Sequence, residues 1–181
     1  TAFDPFCAPV VMTISRRHLA IAALACAAAV AAWMLLAGGA ARNPAPQLQY
    51  TLLDGRQVGT ERLLGQVVLV NFWATSCTTC VAEMPHLVAA HRKFSPRGYT
   101  TVAVAMSYDP PAYVAGFAES RQLPFGVAID RTGAIAKAFG DVQLTPTSFL
   151  IDKRGQVVKR YVGAPDFDAL DQLIEQLLAE A

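Results

Sequence analysis

Two cysteines separated by two threonines are the residues of this chain best suited to chemistry. Cys77 and Cys80 close an apolar stretch, VNFWATSCTTC, that begins at Val70. Cysteines at this spacing serve as a redox pair, as half of a metal site, or as a structural disulfide. A disulfide that encloses only two residues constrains the unfolded chain very little, so the structural role is disfavoured.

The elements around the cysteines favour the redox pair. Val67 to Phe72 is a continuous apolar run, which predicts a strand buried on both faces. Cys80 to Lys93 predicts a helix, and Pro85 is expected to kink it. The N-terminus of a helix offers free N–H groups and a positive dipole end, which lower the pKa of a nearby thiol. We therefore expect Cys77 to be the exposed nucleophile and Cys80 to be the shielded thiol that resolves a mixed disulfide.

Strands that alternate with helices predict a three-layer α/β/α domain with a mixed central sheet. An Asp-Gly turn joins Leu48–Leu53 to Arg56–Val58 and predicts an N-terminal β-hairpin. The remaining predictions are a helical turn over 60–65, strands over 100–106, 125–129, 147–152 and 156–162, the last two forming an antiparallel hairpin, and helices over 111–121, 133–139 and 166–180.

The N-terminal part of the chain has the pattern of an export segment. Residues 19–41 contain no charge, and Arg16-Arg17-His18 precede them. Such a run fits a bilayer span or a long secretory signal, and the preceding arginines place the rest of the chain outside the cytoplasm. The sequence therefore predicts a basic segment over 1–18, a signal anchor or signal peptide over 19–41, a linker over 42–47, and a domain over 48–181.

The charge balance excludes one class of partner. Residues 43–181 carry 12 Lys and Arg against 13 Asp and Glu, a net charge of −1. A nucleic-acid-binding surface needs clustered basic residues, and none are visible. We expect no nucleic-acid partner.

Taken together, the motifs resemble a known family. VLVNFWATSCTTCVAEMPHL and the later LTPTSFLIDKRGQVVKRYVG are similar to the membrane-tethered TlpA/ResA branch of thioredoxin-like thiol–disulfide oxidoreductases. The resemblance covers residues 46–180. It implies a thioredoxin fold in which 107–140 form a central strand–helix insertion, and an envelope-facing location.

The resemblance also implies a substrate-binding surface. Pro146 is expected to be a cis proline that faces the disulfide, which leaves Thr145 free to pair with an extended substrate. Trp73, Thr78 and Thr79 are expected to contribute to the same surface. For Trp73 the alternative is an aromatic residue of the core.

Glu83 is the expected proton-transfer group. Thioredoxins typically carry a buried aspartate where this chain has Asn71, and an asparagine cannot titrate. Glu83 follows Cys80 by three residues and therefore lies on the same helix face. Burial there would raise the pKa of its carboxyl and suit it to exchange a proton with Cys80. The alternative is a solvated glutamate on the helix surface.

The expected activity is thiol–disulfide exchange with exported proteins, on the periplasmic side, by a monomer. The redox-active Cys77–Cys80 disulfide would need no further cofactor. The resemblance favours a reductant of a partner such as an apocytochrome c or a copper-site protein, itself re-reduced by a DsbD-like membrane protein.

Two other functions remain open, and a third is disfavoured. A disulfide-forming oxidant stays open, and so does a copper-binding or copper-chaperone protein that adds His86 or His91 to the cysteines. Peroxide reduction is disfavoured, because Val70 and Ala74 stand where peroxidases of this fold carry Pro and Thr.

Overall fold

The computed structural model describes residues 43–180, and its elements follow the predicted order. The strands are β1 (Asn43–Pro44), β2 (Gln49–Thr51), β3 (Gln57–Gly59), β4 (Val67–Trp73), β5 (Tyr99–Ala105), β6 (Gly126–Ile129), β7 (Thr147–Ile151) and β8 (Gln156–Val162). The helices are α1 (Thr78–Phe94), α2 (Pro111–Ser120), α3 (Ala134–Ala138) and α4 (Phe167–Ala179), with 3-10 turns at Thr60–Leu63 and Ser95–Arg97.

The strand that leads to the cysteines lies in the middle of a six-stranded sheet. The strand order is β1-β8-β7-β4-β5-β6, and β2 pairs with β3 in a separate hairpin. β4 is parallel to β5 and antiparallel to β7, so the sheet is mixed, as predicted. All seven residues of β4 are buried. The end of β4 is therefore held from both sides, which fixes the starting point of the cysteine loop.

The two faces of the sheet are covered differently. One face carries α1, α2 and α4, and its core includes Leu87, Phe94, Val114, Leu170, Ile174 and Leu177. The other face carries the β2–β3 hairpin and the five-residue α3, and its core includes Tyr50, Leu52, Phe72, Phe139 and Val142. The predicted thioredoxin-like layering is confirmed, with a hairpin supplying much of one outer layer.

One predicted boundary needs correction. Residues 42–47 were expected to form a linker, but Asn43 and Pro44 pair with Val157 and Gln156 as the edge strand β1. The N–H of Ala45 also donates to the carbonyl oxygen of Gly155, at 2.8 Å. A proline is compatible with an edge strand, where its missing N–H is not needed, so the proline-bearing pattern was a poor guide to a linker.

The predicted segments over 1–18 and 19–41 lie outside the described residues. Within 43–180, no helix combines the length and the apolar character that crossing a bilayer requires.

Candidate active site

The cysteines lie at the N-terminus of α1, directly beyond the buried strand β4. A short turn leads into the helix. In this turn the N–H of Cys77 donates to the carbonyl oxygen of Ala74 at 3.1 Å. Cys77 is the N-cap residue, and its Sγ accepts from the N–H of Cys80 at 3.2 Å. The two sulfurs form a disulfide, with Sγ atoms 2.20 Å apart. The Cys77 sulfur thus sits where the free N–H groups of the helix stabilise a thiolate.

The two sulfurs differ in access, in the order that was predicted. Cys80 has no exposed surface, and it packs in the core with Met84 and Leu87. Cys77 is half-buried. A partner can therefore reach Cys77, while Cys80 attacks only from within the protein.

The loop that faces the disulfide contains the predicted cis proline. The Thr145–Pro146 peptide bond is cis, which confirms that prediction. The carbonyl oxygen of Thr145 lies 3.6 Å from the Sγ of Cys77. The loop is held by a hydrogen bond from the Thr147 hydroxyl to the Leu144 carbonyl at 2.7 Å, and by one from Gly163 N–H to the Pro146 carbonyl at 2.8 Å.

Glu83 lies in the core behind Cys80, as the sequence predicted, and is only 2% exposed. Burial raises the pKa of its carboxyl to about 7, against a lowering contribution from the side chain of Asn71. Asn71 Nδ2 donates to Glu83 Oε1 at 2.7 Å and to Ser148 Oγ at 3.0 Å. Glu83 Oε2 makes no hydrogen bond to any residue of the described range. One carboxyl oxygen is thus fixed, and the other is free to carry a proton.

The prediction that Trp73 contributes to the contact surface is wrong. Trp73 has no exposed surface, since it ends a strand buried on both faces, and its ring lies 5.1 Å from that of Phe117 on α2. The alternative, a core aromatic, describes it correctly. Thr78 and Thr79 are exposed in the first turn of α1, beside Cys77, where a partner can touch them.

Three further residues beside the cysteines were missed by the sequence analysis. Thr75 donates to Asp109 from its N–H at 2.6 Å and from its hydroxyl at 2.5 Å. The hydroxyl of Tyr108 lies 3.4 Å from the Oγ1 of Thr145. The order of the strands could have indicated these residues. The carboxyl ends of parallel strands meet at one edge of a sheet. Since Cys77 follows β4, and Tyr108 and Asp109 follow the parallel strand β5, the three residues are expected at the same edge.

The surface around Cys77 is uncharged and partly apolar. Contacts link four segments there: 74–79, 107–109, 143–147 and 162–163. Their one charged residue is Asp109, which is buried. They supply three exposed large hydrophobic side chains, Tyr108, Leu144 and Val162. This surface suits an uncharged, apolar stretch of a partner protein.

The histidines considered as metal ligands have other contacts. His86 stacks on Phe167 with ring centroids 4.2 Å apart, and His91 Nδ1 accepts from the N–H of Thr101 at 3.3 Å. His91 also follows Cys80 by 11 residues, about 16 Å along a helix. Among residues 43–180, no three side chains of His, Cys, Asp or Glu lie together in a way that suits a metal ion.

Comparisons with known proteins agree with this geometry. A family model described as Redoxin matches residues 40–174. The chain is 34% identical over 133 residues to the thiol-disulfide oxidoreductase ResA of Bacillus thuringiensis subsp. konkukian, covering 74% of this chain and 76% of that protein. It is 33% identical over 135 residues to ResA of Geobacillus thermodenitrificans, covering 75% and 76%.

A solved structure shows the same similarity. The thiol:disulfide interchange protein of the thioredoxin family from Chlorobium tepidum superposes with a TM-score of 0.71 at 28% identity. The match covers 77% of this chain and 99% of that one.

Proposed function

The chain belongs to the Redoxin family, as a thiol–disulfide oxidoreductase of the ResA type, and from that premise we propose that it reduces disulfides in exported proteins. The observation that carries the proposal is the position of Cys77. Its sulfur is accessible, caps a helix, and lies 3.6 Å from the carbonyl of Thr145 beside a cis proline. An extended substrate chain that pairs with Thr145 brings its own sulfur to Cys77.

The first half of the reaction uses Cys77 alone. In the reduced protein, the Cys77 thiolate attacks one sulfur of the substrate disulfide, and the other substrate sulfur leaves as a thiolate that takes up a proton. A mixed disulfide then joins Cys77 to the substrate. The N–H of Cys80, which points at Cys77 Sγ, stabilises the thiolate before the attack.

The second half uses Cys80 and Glu83. The Cys80 thiol passes its proton to the Glu83 carboxylate, and the resulting thiolate attacks the Cys77 sulfur of the mixed disulfide. The second substrate sulfur leaves as a thiolate and is protonated. Two electrons have then moved to the substrate, and Cys77–Cys80 is again a disulfide. Glu83, with a pKa of about 7, can accept and return this proton near neutral pH.

The charges near the sulfurs support a reductant. A dithiol is strongly oxidising when its reduced form is stabilised, for instance by nearby positive charge. Here the nearest titratable group behind Cys80 is the acid Glu83, and segments 74–79 and 143–147 contain no Lys, Arg or His. The helix N-terminus stabilises the thiolate, but no cationic side chain in these segments adds to it. The reduced form is therefore less favoured than in a strong oxidant, which supports a low reduction potential.

The setting of the reaction is part of the proposal. The uncharged run over 19–41 would bring the domain to the periplasmic side of a bacterial membrane, as an anchor or as a cleaved signal. Substrates would be exported proteins whose cysteines have formed disulfides, such as apocytochromes c or proteins with copper sites. A DsbD-like membrane protein would restore the dithiol. The reaction needs no cofactor besides the disulfide, and a monomer suffices.

A trapping experiment tests this function. The Cys80→Ser variant of the full chain, expressed in the source cells, should accumulate a mixed disulfide through Cys77, because the resolving thiol is gone. The adduct should be visible on a non-reducing gel, and it should disappear when the sample is treated with dithiothreitol before loading. The double variant Cys77→Ser/Cys80→Ser, which retains Cys7 and Cys26, is the control. Equal adducts in both variants, or none in either, would contradict the proposal.

The direction of the reaction is tested separately. Equilibration of the Cys77–Cys80 pair with glutathione buffers should give a reduction potential below about −200 mV, in the range of cellular reductants. A value near about −120 mV, that of the strong oxidant DsbA, would assign disulfide formation to the protein instead.

A further inference from the structure

Asp109 is a buried acid beside the active-site loop that the reaction above does not use. It is 3% exposed and lies just past the end of β5. Both of its carboxylate oxygens accept hydrogen bonds from Thr75, one from the backbone N–H at 2.6 Å and one from the hydroxyl at 2.5 Å. Hydrogen bonds to a charged acceptor are shorter and about twice as strong as neutral ones. Thr75 is therefore firmly held.

The carboxylate is itself fixed by the loop that carries it. The N–H of Asp109 donates to the carbonyl of Met106 at 3.0 Å, and Met106 N–H donates to the carbonyl of Trp73 at 3.0 Å. Pro110 and Pro111 follow directly, Pro110 as the N-cap residue of α2 and Pro111 as its first residue. A proline restricts both its own backbone and that of the residue before it, so Asp109 has little freedom to move.

The residue that Asp109 holds lies two positions before the nucleophile. Thr75 belongs to the turn that starts at Ala74 and ends at Cys77. On the opposite side, Tyr108 contacts the side chain of Thr145, whose carbonyl lies 3.6 Å from Cys77 Sγ. The loop of Tyr108 and Asp109 thus touches both segments between which the substrate sulfur must enter.

We propose that Asp109 is a positioning residue for the redox reaction, which holds Cys77 at the helix N-terminus by binding both donors of Thr75. Without it, the turn from Ala74 to Cys77 is tied to the protein at fewer points, and the Cys77 sulfur moves relative to the N–H of Cys80 and to Thr145. Reactions between positioned groups are sensitive to such movement, and a displacement of 1 Å can cost about a hundredfold in rate.

This inference rests on the exchange reaction proposed at Cys77, but not on its direction. The two can fail independently. If the wild-type chain neither reduces nor forms protein disulfides, the proposed function fails. If the wild-type chain is active and variants of Asp109 and Thr75 match it, only the inference fails.

Four variants of the full chain test it. Asp109→Ala removes both acceptors, and Thr75→Val removes the hydroxyl donor. Asp109→Asn keeps the shape, since its oxygen accepts from one Thr75 group while its NH₂ donates to the hydroxyl oxygen. Thr75→Ser keeps both donors. We measure kcat and KM for insulin reduction, and the rate of alkylation of Cys77 by iodoacetamide, followed on the Cys77 peptide because the chain has four cysteines.

The expected results separate positioning from stability. Asp109→Ala should lower kcat/KM and the alkylation rate about tenfold, as for the loss of a hydrogen bond to a charged group, and Thr75→Val should lower them by less. Thr75→Ser should stay within about twofold of wild type. Asp109→Asn keeps two hydrogen bonds but makes them neutral and weaker, so its loss should lie between that of Thr75→Ser and that of Asp109→Ala. Thr75→Val removes a single hydroxyl and keeps the test decisive if Asp109→Ala does not fold.

Asp130→Ala is the matched control. Asp130 is also buried, at 2% exposure, and also accepts two hydrogen bonds, from the N–H groups of Ile135 and Ala136, but it serves α3. This variant should lose stability and keep kcat/KM and alkylation near wild type. The proposal is overturned if Asp109→Ala and Thr75→Val behave like Asp130→Ala, or if Asp109→Asn falls as far as Asp109→Ala.

Discussion

Burial of the Glu83 carboxyl sets the pH range of the proton transfer from Cys80 that we propose. Its pKa of about 7 results chiefly from desolvation, and one hydrogen bond from Asn71 offsets part of that effect. Below pH 7 the carboxyl is mostly protonated and is a poor base. Above pH 7 it is mostly a carboxylate, so the second half of the reaction should accelerate as the pH rises through 7.

Replacing Glu83 by Gln should remove this dependence. Glu83→Gln keeps the size of the side chain but cannot titrate. We expect turnover of a protein disulfide to fall by about 10²-fold at pH 8, since general base catalysis typically contributes 10²–10⁴-fold, with a smaller effect at pH 6. Steady-state reduction of insulin between pH 6 and 8 measures it. Parallel pH profiles for variant and wild type would show that Glu83 takes no part in proton transfer.

The same substitution should change how stability depends on pH. The folded-state pKa of Glu83 lies above its unfolded value, so the folded protein binds the proton more tightly. Wild type therefore loses free energy of unfolding as the pH rises from about 4.5 to 7, by up to about 3 kcal/mol. The oxidised Glu83→Gln variant should lack this decrease in stability. Thermal melts of variant and wild type at pH 5 and pH 8 measure the difference. The exposed Glu119→Gln is the control, and a wild-type-like pH profile for Glu83→Gln contradicts the assignment.

At this scale, sequence reasoning found the residues that follow from local spacing. The i, i+3 relation of Cys80 and Glu83 needs only a helix, and the inability of Asn71 to titrate follows from its residue type alone. The contacts of Ser148 with Asn71 and of Asp109 with Thr75 join residues 77 and 34 positions apart. No spacing rule connects such pairs, because the sheet order that brings them together is a property of the whole fold.

The helix that carries the cysteines begins earlier than the sequence predicted. Its expected start was Cys80, but α1 begins at Thr78 and continues through Pro85 to Phe94. The reason is that Cys77 acts as the N-cap through its sulfur, a role usually filled by Ser, Thr, Asp or Asn. Pattern rules that look for those four residues pass over a cysteine cap.

The helix α4 has an aspartate, Asp166, as its N-cap residue. Replacing this residue tests how much the cap contributes to the stability of the protein. The carboxylate of Asp166 accepts from the N–H of Ala169 at 3.0 Å. Asp166→Ala should lower the free energy of unfolding by about 1 kcal/mol, because one N–H at the helix start loses its partner. Urea unfolding of the oxidised protein measures the change.

Asp168→Ala is the matched control for that cap. Asp168 is an exposed acid in the first turn of the same helix, but it is not the cap residue. Its loss should cost only about 0.3 kcal/mol through the helix dipole, the lower end of the usual range, because the side chain is exposed to solvent. Equal destabilisation by the two variants would contradict the capping role of Asp166.

On the scale of the whole described domain, residues 43–180, the segments next to Cys77 differ from the rest of the surface in their lack of exposed charge. Several of the described ion pairs join surface residues, for example Lys93 with Asp171 and Arg56 with Asp54. The four segments around Cys77 expose no charged side chain. Encounter with a partner therefore depends on apolar contact rather than on electrostatic steering.

The reaction should consequently respond little to salt. We expect kcat/KM for insulin reduction to change by no more than about twofold between about 50 mM and about 500 mM salt, because screening acts on exposed charges. Ser76→Lys places a cation beside Cys77, and this positive control should make the reaction with the acidic insulin molecule fall with salt. A steep decrease for wild type would show that charged groups guide the partner.

The overall architecture was largely predictable, and its exceptions have one cause. Alternating strands and helices indicated the layered fold, and the apolar runs over 67–72 and 100–106 became the interior strands β4 and β5. Sequence pattern did not indicate that the β2–β3 hairpin would cover the sheet face opposite α1, or that Asn43 and Pro44 would extend the sheet. Short polar segments take up their structure through contacts with neighbouring elements of the fold. They contain too few residues for a hydrophobic periodicity that would predict that structure.

β1 pairs with the end of β8 that is distant from the active site. Asn43 pairs with Val157 near the start of β8, whereas Val162 at the other end of β8 pairs with Thr147, next to Pro146. Those two positions on β8 are five residues, or about 17 Å, apart. The chain therefore enters the sheet at one end of β8, and the cis proline that faces the disulfide lies beside the other end.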